Sequence, residues 1–157
     1  MSTKTRFAFL LILIGLNLVV DLRAASDAAR KQYNLDANNL ALQGYDPVAY
    51  FDGKPLKGKD DITATQNGIV YHFASDEHRK QFQQSPEKYE PAYGGWCATA
   101  MAKGKKVEID PNSFKVTDGR LFLFYKDFFT EARKAWVKDE ADQRAKADAH
   151  WKEISGE

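Results

Sequence analysis

The chain has 157 residues, 23 basic and 22 acidic side chains for a net charge of +1, 13% aromatic residues and a single cysteine, Cys97. That length suits one domain around one core, and the near balance of charge argues against nucleic acid, whose binding needs a clear excess of Lys and Arg on one face. A lone cysteine excludes an internal disulfide, so the fold must rest on its core.

Lys4 and Arg6 precede an apolar run from Phe7 to Val20, broken only by Gly15 and Asn17. A basic start followed by so short a run reads as a secretory leader over 1–24 rather than a full membrane span, which needs about 20 apolar residues. Ala24 and Ala25 offer the cleavage point; Arg23 beside them leaves an uncleaved anchor as the alternative. The expected location is periplasmic or secreted, with membrane contact only through the leader. Residues 25–43 read as an N-terminal arm, polar and alanine-rich at first. The domain proper spans 44–154.

Within it, Asp46 precedes Pro47, which predicts an N-capped helical turn to Tyr50. Ile62 and Ala64 read as a strand, Asn67-Gly68 as a hairpin turn, and Ile69 to Phe73 as a second strand with period-two alternation. Ser75 is a good N-cap, with Asp76 and Glu77 in the first turn that follows and Phe82 on the inner face. Pro86 opens a second short helix holding Tyr89. Gly94-Gly95 permits unusual dihedrals ahead of Trp96, Cys97 and a brief helical or irregular segment through Met101. Asp110 to Phe114 reads as a capped helical turn, and Asp118-Gly119 as the turn of another hairpin. Thr130 is expected to cap a long C-terminal helix whose apolar stripe is Ala132, Trp136, Ala147, Trp151 and Ile154. Hairpins followed by helices, with no βαβ alternation, predict an α+β domain: a small antiparallel sheet of hairpins packed on short helices and a long C-terminal one.

Three stretches together carry a resemblance. Asp46-Pro47-Val48, Tyr71-His72-Phe73-Ala74-Ser75, and Phe82 with Pro86-Glu87-Lys88-Tyr89 resemble the YHS domain family. Gly44 to Phe51, Tyr93 to Ala98 and Lys146 to Trp151 look like its exported, stand-alone branch. The metal-binding members carry cysteines where this chain has Ala49, Ala74 and His78, so the resemblance implies a scaffold without the thiolate cage on which a soft metal site depends. Asp46, Pro47, Tyr71, Phe73 and Ser75 carry over as scaffold.

Three chemistries remain open for a binding module of this kind. A metal ion, copper first, would use Cys97, His72 and Met101, because soft donors suit copper(I). A small-molecule pocket would be lined by the loop aromatics Tyr45, Tyr50, Tyr93 and Trp96, with Asp46 beside them. A thiol enzyme or redox sensor would pair Cys97 with His72. Against each stands a plain structural role: a hydrogen-bonded His72, a Cys97 that is a small buried hydrophobe, and aromatics that close the core. His78, on a charged helix, reads as solvated, as does the Lys103 to Lys106 loop. The domain is expected to be a binder rather than an enzyme, its partner a small ligand or metal ion.

Overall fold

Both predicted turns take the conformation their residues favour: Asn67 and Gly68 sit at φ of 50° and 78°, Asp118 and Gly119 at 51° and 73°. Positive φ at both central residues matches the right-handed twist of flanking strands, and Asn, Asp and Gly reach it at the least cost. The computed structural model describes residues 31–156; the leader and the start of the arm lie outside the described residues. Strand β1 (Lys59–Gln66) pairs antiparallel with β2 (Ile69–Phe73), and β3 (Asp110–Thr117) with β4 (Arg120–Phe124). The two hairpins form separate two-stranded sheets rather than one. Five helices join them: α1 (Asp76–Gln84), α2 (Pro86–Tyr89), α3 (Ala98–Met101), α4 (Arg133–Trp136) and α5 (Glu140–Ser155). The mixed α+β class is as the sequence predicts.

Local chemistry sets several boundaries. The Ser75 hydroxyl accepts from the His78 amide and starts α1, while Pro86 stands in the first turn of α2. Two expectations fail. Asp110 to Phe114 is not helical but part of β3, where the register slips from Asp110↔Phe124 to Phe114↔Leu123. The Asp110 carboxylate accepts from the Asn112 amide at 2.9 Å, so the polar run makes a local turn inside a bulged strand instead of capping a helix. The C-terminal helix is also interrupted: Asp139 leaves helical geometry at φ −151°, ψ 62°. Thr130 caps nothing; its amide donates to Asp127 Oδ1.

The core lies between the hairpins. On β2, Ile69, Tyr71 and Phe73 are buried while Val70 and His72 are only half so. Phe82 of α1 meets Tyr71 and Phe73 at ring-centroid distances of 4.7 and 5.3 Å. On the other hairpin, Phe122 and Phe124 pack on Trp136 at 5.1 and 5.7 Å. All belong to one continuous cluster. The segment after α2 runs beside β4 through the Pro91↔Leu121 and Cys97↔Leu123 bridges. The described part of the arm joins in: the Asn34 amide donates to Gly94 O at 2.9 Å, and Leu40 bridges Val70.

Candidate functional site

Period-two alternation decides the fate of the proposed soft-metal set. Tyr71 and Phe73 turn into the core that also contains Cys97 and Met101, so His72, between them, faces the other way. Its ring lies 3.4 Å from the Asp60 carboxylate with 15% of the side chain exposed, and Gly58 abuts its backbone so tightly that a Cβ there would come within 2.5 Å of it. Cys97 is 1% exposed; its amide donates to Val107 O at 3.0 Å, and its carbonyl accepts from Met101. Cys97, His72 and Met101 are therefore not gathered into one site, nor do Cys97 and His72 form a dyad. Among the described residues no group of three or more His, Cys, Asp and Glu side chains is placed to hold a metal ion.

The three positions at which the family resemblance puts cysteines do converge, but on Asp46. This carboxylate is fully buried. Its Oδ1 accepts from the amides of Val48 at 2.8 Å and Ala49 at 3.4 Å, the predicted cap. Its Oδ2 accepts from the Ala74 amide at 2.8 Å and meets His78 Nδ1 at 2.6 Å. His78, expected to be solvated, is only 18% exposed, with Nε2 3.5 Å from Asp52. Charge-assisted bonds of this kind are the strong ones. The implied thiolate cage does not fit these residues: an internal carboxylate–imidazole tie fills its place.

The four loop aromatics go separate ways. Tyr50 is buried and donates to Pro111 O at 3.0 Å. Tyr45 lies under Lys57 Nζ, 5.3 Å from its ring centroid. Trp96 donates to Gln32 O and stacks beneath Lys106. Tyr93 borders a cleft. That cleft, about 240 Å³, runs between the Pro91–Gly94 loop, Tyr33, Trp151 on α5 and the Gly119–Arg120 turn, with Glu87 and Glu90 on its rim. The backbone at Tyr93 and Gly94 is left-handed, φ 58° at each. A Cβ on Gly94 would stand 2.7 Å from Trp151 and 2.9 Å from Tyr33, so glycine lets the two aromatic walls close on the loop.

Charge is organised across this cleft. Arg120 donates to Asp148 on α5 at 2.9 and 3.3 Å, and Tyr93 Oη donates to the same carboxylate at 2.9 Å. Arg120 also lies over the Tyr93 ring at 5.6 Å. Burial, then the bond to Asp148, pushes the Tyr93 phenol well above its usual value. Burial alone would raise Asp148, but the bonds from Arg120 and Tyr93 outweigh it and hold the carboxyl below its usual range. Tyr71, which does not line the cleft, has its Oη buried with no hydrogen-bond partner among the described residues. Burial foremost, with Glu90 and Tyr33 near enough to act on it, raises its phenol. Sequence reasoning missed Tyr33, Tyr71, Arg120 and Trp151; Gly94 was the available signal, as a glycine that marks close approach.

Compared with known proteins, the chain matches no family model, and neither a curated protein nor a solved structure matches it.

Proposed function

We propose that this chain is a binding module of the YHS type that takes a small polar organic molecule in the cleft between Tyr33, Tyr93 and Trp151. The observation that carries the reading is the Tyr71 hydroxyl, buried without a partner within electrostatic reach of two cleft residues. A buried polar group is normally paired, and one left unpaired within reach of residues that line a concave site marks where a ligand's polar atom could be met. Aromatic walls supply contact area, and Glu87 and Arg120, the latter bonded to Asp148, line the cleft with both signs of charge. Cys97, in the core, and His72, beside Asp60, are apart, so this reading draws on no Cys–His dyad.

The test is a panel of small polar metabolites screened by thermal shift, followed by titration of any hit against wild type and Tyr71→Phe. The variant removes one oxygen and no packing. Without ligand it should be as stable as wild type or more so, by up to about 1 kcal/mol, because an unmet desolvation cost disappears. With ligand, affinity should fall roughly tenfold. Equal affinities would overturn the cleft reading. A copper-dependent response abolished by Cys97→Ser would return the metal reading in its stead.

A further inference from the structure

Phe128 and Phe129 are 93% and 92% exposed, far beyond any other large apolar side chain among the described residues. They are not on a loose tail. Lys126 and Glu131 bridge antiparallel beneath them. The Asp127 amide donates to Thr130 O at 2.9 Å, and Asp127 Oδ1 accepts from the amides of Phe129 at 2.9 Å and Thr130 at 2.6 Å. Tyr125 Oη donates to the other carboxylate oxygen. The two rings stand edge to face, 5.0 Å between centroids. The turn is thus built to hold an aromatic pair outward, against the hydrophobic effect.

Along residues 126–140 four basic side chains stand with four carboxylates. Lys126 adjoins the turn in sequence, Arg133, Lys134 and Lys138 follow it on the same stretch, and all four are exposed. Asp127 is engaged by its own turn and Glu131 pairs with Arg133 at 3.2 Å and Lys134 at 3.5 Å, so Lys126 and Lys138, the latter next to the exposed Asp139, are the cations outside these pairs. Beyond Lys138 and Asp139, Glu140 is held by Lys115. Val137, half exposed, adds apolar surface on the same stretch.

We propose that the Phe128–Phe129 turn is a wedge that seats in the surface of an anionic lipid bilayer. In this arrangement the phenyl rings sit at the headgroup–acyl boundary and Lys126 and Lys138 lie against lipid phosphates. Size and shape favour lipid over protein. Two phenylalanines offer roughly 300–500 Å², well short of the roughly 800 Å² per partner of a stable protein interface. An exposed apolar tip with unpaired lysines on the same stretch is suited to an anionic bilayer, where apolar insertion and charge attraction add. This reading stands apart from the cleft and from the leader.

Site-directed spin labelling of the full chain tests it. Cys97 is buried, so a nitroxide can be placed at Phe128→Cys, at Phe129→Cys, or at the exposed α1 control Gln83→Cys. Each labelled chain is then bound to vesicles of phosphatidylcholine and phosphatidylglycerol. At 128 and 129, collisions with oxygen should rise severalfold relative to those with a water-soluble nickel chelate; at 83 the ratio should not move. Adding Phe128→Ser should lift the label at 129 back into water. The label reports only its own surroundings, so insertion of the leader cannot imitate the result. Unchanged nickel access at 128 and 129 on vesicle-bound chains would overturn the proposal. So would loss of access to both colliders, which would mean burial against a second copy or another protein.

Discussion

Asp46 has no exposed surface, yet it is bonded by three amides and one imidazole drawn from two parts of the chain. Its bonds to Val48 and Ala49 close the turn that Pro47 begins. Its bonds to Ala74 and His78 tie that turn to the end of β2 and the start of α1. A carboxylate is tolerated there only because each of its oxygens is met, and removing it strands buried donors. Asp46→Ala should therefore cost about 3–5 kcal/mol, read as a lower urea midpoint with an unchanged slope. Asp52→Asn, on the exposed side of the same imidazole, should change stability by about 0.5 kcal/mol or less. Equal losses in the two variants would show that the tie is not anchored at Asp46.

Elements defined by local chemistry were legible in the residues, and those defined by distant contact were not. Asn67-Gly68, Asp118-Gly119, Ser75 and Pro86 each set a turn or cap through their own backbone preferences. The bulge at Asp110 and the break at Asp139 depend on which strand or helix the segment packs against, and no spacing announces that. The cleft was harder still, since its walls come from residues as far apart in sequence as Tyr33 and Trp151. The Arg120–Asp148–Tyr93 network is one of the ties between α5 and the second hairpin, beside the Arg144–Asp118 and Lys115–Glu140 pairs. Because the folded-state carboxyl of Asp148 is lowered, the network's stabilisation is full above the unfolded value of about 3.9 and lost as pH falls through the folded one. Both partners are partly exposed, so the contribution should be about 1 kcal/mol or less. Asp148→Asn should be less stable than wild type at neutral pH, and the gap should close on acidification below about pH 3.9. A gap that persists in strong acid would mean that the amide harms packing rather than charge.

At the scale of the molecule, both hairpins contribute to one apolar cluster. Tyr71, Phe73 and Phe82 form one side; Phe122, Phe124 and Trp136 form the other. Neither hairpin has enough of its own to stand alone, because an isolated two-stranded ribbon is marginal in water. Cys97 lies within the cluster, beside β4 through the Leu123 bridge and at the head of α3. Its thiol can meet a reagent only if the segment leaves β4 and α3 comes away from the core, which opens the cluster as a whole. Local fraying exposes termini and loops, not a group held this way. Thiol labelling of Cys97 in rising urea should then follow the same midpoint and slope as unfolding monitored by tryptophan fluorescence, with negligible reaction in the native state. Fast labelling without denaturant would uncouple the Cys97 segment from the core and make the thiol available for chemistry. A midpoint well below that of fluorescence would instead divide the molecule into two units, with the second hairpin and its helices opening first.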